Sequence, residues 1–597
     1  MGDATLGNAT VVGTWVVMLF LGTALPAEGA ARVTVDTSPA GRMQVIDGFG
    51  TCMGNAWAGE QWFQELYYDD LGASIMRTDL TPHFVSPYSD LHYYSPWFMG
   101  RGTTSVFNFE DTANPDGPEK NRARTYTGPD DYSREFGGKR APIAVMGPDI
   151  MKNVELFDYS SVEPMGNMAK AGLARKEKLG DFKLYGSFWS PAPWVKISSG
   201  NKWNGGRWPM PVPGTPWPFV WGGNFAGGKL DVSDKPLEVF NDGTGPTSAL
   251  TQFARCAAAY VKGFQDKFGV KFYAISIQNE VNFEEFYNSA TYPLSSQYIT
   301  ALKAARREFD KYEDLKEIQI IGPEDLLGGD VWGMWQYGGG DGTVHKNLQY
   351  LVNIAADPEA ARALGFFCIH GYASDGATAA GADSQMWDWW VNGWRNSPNP
   401  AIPADVKGFA AYGKKSWMTE TSGEEAAWLA PRNAFAGNGG WSIALKTQQA
   451  LTAGRESACI YWQFAERENE TTGSCLTRKN NGDREPKYVA AKHFFRYIRP
   501  NAVAVRATVD GDGGVTASAY VHEQDKTLTV VLVSRAAESL MTTLNVPAGF
   551  AEAKSFQTFT SSADSLWKES AAVADGGTVA VEVPGYGVVT LVAKVGP

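Results

Sequence analysis

Eight short apolar runs of strand length recur along the chain, with longer segments of helical period between them. The runs are Val45–Gly50, Ser74–Asp79, Lys183–Trp189, Lys271–Gln278, Ile318–Gly322, Phe366–His370, Ser416–Glu420 and Ala458–Trp462. Two of the intervening segments, Thr251–Phe268 and Ser296–Tyr312, carry apolar residues at the spacing of one helix face. Strands that alternate with helices pair in parallel, and eight such units close into a barrel. Every strand of such a barrel ends at the same face, so side chains far apart in sequence converge there. The expected class is α/β, with a (β/α)8 TIM barrel as its main body.

The pattern changes near Ala502. Val515–Val521, Thr527–Ser534, Lys554–Thr560, Thr578–Val583 and Val588–Val592 read as short strands separated by turn signals such as Asp510-Gly-Asp-Gly-Gly. Strands at this spacing predict an antiparallel β-sandwich. The alternating run from Arg32 precedes the barrel and is expected to join that sandwich, so both chain ends would build it. The expected organisation is a leader over 1–30, a sandwich strand over 31–43, the barrel over 44–500 and the rest of the sandwich over 501–597. The leader reading rests on the apolar stretch Val11–Leu25 and the small residues that follow, the pattern of a secretory signal. It implies a secreted, periplasmic or extracellular protein. Asp3 stands where a basic residue is usual. No later run is long and apolar enough to span a membrane.

Net charge is −12, and no Lys/Arg-rich run is present, so nucleic acid and anionic membranes find no electrostatic footprint. The five Cys are scattered and include no CxxC pair; no HExxH occurs. This argues against a disulfide framework or a zinc site, although a Cys459–Cys475 bridge stays open. Cys368 and Cys459 read as buried small hydrophobes. No metal and no cofactor is expected.

Two of the strand runs lead into glutamates. Tyr273-Ala-Ile-Ser-Ile-Gln-Asn-Glu280 closes on Asn279-Glu280, and Lys415-Ser-Trp-Met-Thr-Glu420 closes on Glu420. Two facing carboxyls at a barrel mouth are the minimal equipment for cutting a glycosidic bond. One must be neutral and one ionised, so their surroundings must differ. Arg77, near the end of the second run, is the candidate for keeping Glu420 ionised, or else a structural ion-pair partner. Burial and the charge of Glu420 would hold Glu280 neutral. Asn279 could bond a sugar 2-hydroxyl. Trp189 and Trp462 end the third and eighth runs and either face a sugar ring or pack the barrel top. Glu324 follows the fifth run and is either a third carboxyl at the mouth or a structural residue. Glu284, Glu285, Glu424 and Glu425 read as solvated loop or helix-start positions. The long connections Leu80–Asp181 and Ser190–Lys235 follow strands and should lie on the same face. The second is rich in Trp, with Trp194, Trp203, Trp208, Trp217 and Trp221; the cluster Trp387, Trp389, Trp390 and Trp394 reads instead as a packed helix.

Several stretches together resemble glycoside hydrolase family 30. They are Ile46-Asp-Gly-Phe-Gly50, Gly186-Ser-Phe-Trp-Ser-Pro-Ala-Pro-Trp-Val-Lys196, Ser276-Ile-Gln-Asn-Glu280, Ile369-His-Gly-Tyr372, Trp417-Met-Thr-Glu-Thr421 and Ile460-Tyr-Trp462, in the family's order. The resemblance covers most of 33–597. It implies a retaining enzyme with Glu280 as acid/base and Glu420 as nucleophile, and His370 and Tyr372 as further hydrogen-bond donors. His370 could equally be a satisfied core histidine. Some members carry a sugar-binding Asp a few residues beyond the second-strand Arg. Here Asp79 comes too early and His83 lies near that place, so the sugar cannot be carried over. The implied substrate is a β-linked polysaccharide or oligosaccharide: β-1,6-glucan or galactan, xylan, or a β-glucoside. A transglycosylase using the same site, or a catalytically silent carbohydrate-binding protein, are the alternatives.

Overall fold

The computed structural model describes residues 31–53, 56–86, 88, 143–197, 220, 224, 225, 227, 245–282, 292, 294–328, 330–336, 346–372, 385–431, 437–465, 473–479, 481–511 and 514–595. Eight parallel strands close a barrel: Gly48–Met53, Ile75–Leu80, Lys183–Phe188, Phe272–Ser276, Gln319–Leu326, Phe367–His370, Ser416–Glu420 and Ala458–Tyr461. Neighbours in the barrel are neighbours in sequence, and the last strand pairs with the first through Cys459 and Phe49. The floor of the barrel interior is filled by Ile75, Tyr185, Ile321, Phe366, Trp417 and Ile460, all buried. Helices surround it, and their caps are visible in the sequence. Ala249–Phe268 starts at Ser248, whose hydroxyl accepts from Thr251 N at 3.4 Å, and stops at Gly269 in the left-handed region (φ 65°).

Each run read as a barrel strand overlaps one, and the first is displaced along the chain. The run Val45–Gly50 does not end at its glycines. The barrel strand begins there, because Gly48 (φ 136°) turns the chain into it. Val45 instead pairs with Val503, so Arg42–Val45 belongs to the second sheet. The connection after the second strand is not wholly a mouth loop: Glu163–Ala174 within it is a helix packed against strand Ile75–Leu80 and helix Ala249–Phe268. Its buried face carries Met165, Met168 and Ala169.

The second sheet system has strands Ala31–Asp36, Arg42–Val45, Val503–Asp510, Val515–His522, Thr527–Ser534, Leu540–Asn545, Ser555–Ser561, Lys568–Val573, Thr578–Val583 and Val588–Lys594. Its two layers enclose Val33, Leu528, Val530, Leu544, Phe556, Val579 and Leu591. Both chain ends build it, as expected. Ala31–Asp36 lies between Val503–Asp510 (antiparallel) and Leu540–Asn545. The latter pairing is parallel, the exception in an otherwise antiparallel system. The outer face, with Tyr520, Val531, Val533 and Val588, packs on the barrel's last two helices, Gly440–Thr452 and Pro486–Phe495. Trp441 Nε1 donates to Ser534 O at 2.8 Å, and His493 bonds Thr590 and Ser561 hydroxyls, each at 2.8 Å.

All five cysteines are buried and none forms a disulfide, so the Cys459–Cys475 bridge is absent. Trp387 and Trp390 are fully buried on helix Gln385–Asn392, the packed helix expected. No helix among the described residues is long and apolar enough to cross a membrane. The leader, Glu284, Glu285, Trp203, Trp208, Trp217 and Trp221 lie outside the described residues.

Candidate active site

The barrel topology carries Arg77, Glu280, Glu324, His370 and Glu420 to one point. Arg77, His370 and Glu420 stand at or near the ends of their strands. Glu280 comes four residues after its strand stops at Ser276, later than the periodicity suggests. The segment stays locked to its neighbours: Asn279 N bonds Phe188 O at 2.7 Å, and Glu280 N bonds Glu324 O at 2.9 Å. Glu280 (φ 46°) and Glu324 (φ 55°) both adopt the left-handed conformation. That costs a non-glycine residue roughly 1 kcal/mol or more and persists only where the surroundings enforce it.

One oxygen of Glu280, one of Glu420 and one ring nitrogen of His370 all lie within 4.8 Å of one another. Glu420 accepts from the Arg77 guanidinium through Oε2 and from the Tyr372 hydroxyl through Oε1 at 2.6 Å. Arg77 is fully buried and has its fork spread over four acceptors. Nη1 also reaches Thr419 O at 2.9 Å, and Nη2 reaches Asn279 Oδ1 at 2.6 Å and Glu324 Oε1 at 3.4 Å. Because Arg77 takes the amide oxygen of Asn279, the amide NH2 points away from it. One guanidinium thus makes ion pairs with both Glu420 and Glu324.

Glu324 is the residue that sequence reading undervalued. It is fully buried and accepts from Tyr185 and Ser187 hydroxyls, each at 2.6 Å. Burial alone would raise its pKa, but Arg77, His370 and Ser187 outweigh it and bring the value down to about 2. His370 spans the carboxylates, with Nδ1 3.2 Å from Glu280 Oε1 and Nε2 3.3 Å from Glu324 Oε1 and 3.7 Å from Glu420 Oε2. Burial would lower its pKa; Glu420, Glu280 and Glu324 raise it to about 10. The three carboxyls thus favour the imidazolium form of His370, in which both ring nitrogens can donate.

Trp189 and Trp462 meet each other at the mouth, their rings stacked with centroids 5.3 Å apart. The Arg77 guanidinium lies 5.7 Å from the Trp462 ring centroid. The expectation that Glu424 is solvated is overturned. Glu424 is fully buried, takes Lys446 Nζ at 2.7 Å and the Tyr461 hydroxyl at 2.6 Å, and so ties the seventh strand's loop to helix Gly440–Thr452. Glu425 is exposed, as read. Trp194 is buried against Phe84 rather than displayed. His83 has Asp158 as its charged neighbour, and burial pushes its pKa down to about 4.

No family model matches the sequence. Solved structures do match the fold. A family 30 endoxylanase from Clostridium papyrosolvens aligns at 16% identity with a TM-score of 0.56, covering 95% of this chain and 100% of that one. A family 30 subfamily 8 xylanase from Clostridium acetobutylicum aligns at 18% identity and 0.55, with the same coverage of 95% and 100%. An endo-β-1,6-glucanase aligns at 15% identity and 0.54, covering 94% of each chain. The chain thus shares the barrel-and-sandwich fold of glycoside hydrolase family 30 structures over nearly its whole length.

Proposed function

We propose that this chain is a retaining β-glycoside hydrolase of family 30, exported from the cell, that acts on a β-linked polysaccharide or oligosaccharide. The observation that carries the reading is the closeness of Glu280 and Glu420, with an oxygen of each inside 4.8 Å. Retaining enzymes hold their two carboxyls about 5–5.5 Å apart, whereas inverting ones need about 6.5–9.5 Å to admit a water. Fold likeness to xylanases and a β-1,6-glucanase supports the reaction class and leaves the sugar open.

In this scheme Glu420, held by Arg77 and Tyr372, attacks the anomeric carbon while Glu280 gives its proton to the leaving oxygen. The C–O bond to the leaving group breaks as the bond to Glu420 forms. Glu280, now a carboxylate, takes a proton from water, whose oxygen displaces Glu420 and releases the sugar with its original anomeric configuration. Two cations, Arg77 and His370, stand among the three carboxyls of Glu280, Glu324 and Glu420, so the cluster holds one carboxyl more than it has cations. Asn279 would face the 2-hydroxyl, and the Trp189–Trp462 pair would take the apolar face of the ring.

The test is a panel of β-linked polysaccharides with product sizing, followed by NMR of the first-formed anomer. Glu420→Gln should abolish turnover without loss of fold. Glu280→Ala should slow poor leaving groups most, and azide should rescue activated aryl glycosides. Full activity of Glu420→Gln, or an inverted product, would end the proposal.

A further inference from the structure

Asp79 has no part in the scheme above, yet it stands beside it. It lies two residues beyond Arg77 on strand Ile75–Leu80, so both side chains fall on the inner face of the barrel. Its register partner, Ser187, also faces inward, since its hydroxyl donates to Glu324. Along this face Arg77 is fully buried and Asp79 half-buried, so Asp79 marks the level at which the wall opens to the mouth. Among the described residues the Asp79 carboxyl receives one hydrogen bond, from Cys52 Sγ at 3.4 Å, and a thiol is a weak donor. It makes no ion pair among them, because the Arg77 fork is spent on Glu420, Thr419, Asn279 and Glu324.

The charged groups that face it are Arg77 on its own strand, Glu420 on the seventh and Glu324 on the fifth, with the Cys52 thiol on the first. Burial and the two carboxylates, working against Arg77, push its pKa up to about 7. Around neutrality the group can therefore both donate and accept. A half-buried carboxyl with one weak protein partner has hydrogen-bonding capacity left for a group that enters from the mouth. A second carboxylate or a phosphate is excluded as partner by Glu420 and Glu324. A neutral hydroxyl meets all the conditions, because it can accept from the acid or donate to the anion.

We propose that Asp79 is a specificity-determining residue that hydrogen-bonds one ring hydroxyl of the sugar seated over Glu420. This rests on the glycosidase reading, and the experiment separates the two. The wild-type chain is first assayed on aryl β-glycosides and β-oligosaccharides. Complete inactivity overturns the glycosidase reading, and this inference with it. On the sugar hydrolysed fastest, Asp79→Ala should lower kcat/KM by about 10- to 100-fold, the loss of one hydrogen bond to a charged or acidic group, and Asp79→Asn should lose less. The decisive arm uses analogues that each lack one hydroxyl on the cleaved ring. On one of them, wild type and Asp79→Ala should become equal to within about two-fold, because the partner is already gone. An equal loss on every analogue would mean that Asp79 acts only through Arg77 or Cys52. That outcome, or a loss under two-fold on the parent sugar, overturns the inference while leaving the hydrolase reading intact.

Discussion

Replacing Glu324 with Gln tests the electrostatic logic of the site most directly. The side chain keeps its size, and its one amide oxygen still accepts from either Tyr185 or Ser187, whose hydroxyls donate to different oxygens of Glu324. What disappears is a charge 3.3 Å from His370 Nε2 and 3.4 Å from Arg77 Nη2. At 3.3 Å and an effective dielectric near 20, that charge is worth about 5 kcal/mol to the imidazolium. The amide dipole that remains and local relaxation would absorb about half of it. About 2.5 kcal/mol then corresponds to a fall of about 2 in the His370 pKa. In the wild type, with a value of about 10, His370 should stay protonated across the physiological range. In Glu324→Gln it should titrate nearer 8. The chain has six histidines, so ring-selective labelling and NMR titration are practicable. The basic limb of the kcat/KM profile should move down with it, since loss of the imidazolium removes the donor that faces Glu280. A wild-type His370 that titrates near 6.5, or a variant titration unchanged from wild type, would refute the reasoning.

The same cluster sets the pH range of its own stability contribution. The folded pKa of His370 lies above its ordinary 6.5, so its contribution is full below pH 6.5 and fades as pH rises through about 10. The folded pKa of Glu324 lies below its ordinary 4.5, so its contribution is full above 4.5 and fades as pH falls through about 2; denaturation midpoints of wild type and Glu324→Gln should differ most between about pH 4.5 and 6.5. Arg77→Met leaves Glu420 and Glu324 without their shared cation and should destabilise by about 3–5 kcal/mol, read by chemical denaturation, with turnover lost. Lys446→Met strands the buried Glu424 and should destabilise by a similar 3 kcal/mol or so; adding Glu424→Gln should restore part of that, and no recovery would count against a charge effect. Deleting residues 31–36 removes a strand hydrogen-bonded on both sides, so the melting transition of the sandwich should drop sharply or vanish in calorimetry.

Much of this protein is legible in local pattern. The eight barrel strands stand out because each is a short apolar run bounded by helical period, and burial on both faces demands such runs. Glu280, Glu420, Arg77 and Trp462 could be picked out because a barrel puts strand ends at one face whatever the loops do, whereas His370 was named only through the family resemblance. Weaker strands escaped notice. Leu540–Asn545 and Lys568–Val573 are half-polar, and their hydrogen bonds come from partners far along the chain. That Ala31–Asp36 would pair in parallel with Leu540–Asn545 has no trace in either segment, since register is decided by the other strand.

The chain's own order determined which elements form and which acidic residues reach the mouth, because periodicity and strand length depend on near neighbours. Tertiary structure alone decided what those residues are. Glu324 and Glu424 look like any loop glutamate in sequence, and both are buried ions: one is paired with Arg77 and His370, the other with Lys446. His370 is a cation and Asp79 is poised near neutrality for the same reason. The energy of a buried charge is set by what lies within a few ångströms through space, and the fold assembles those neighbours from strands that are remote along the chain.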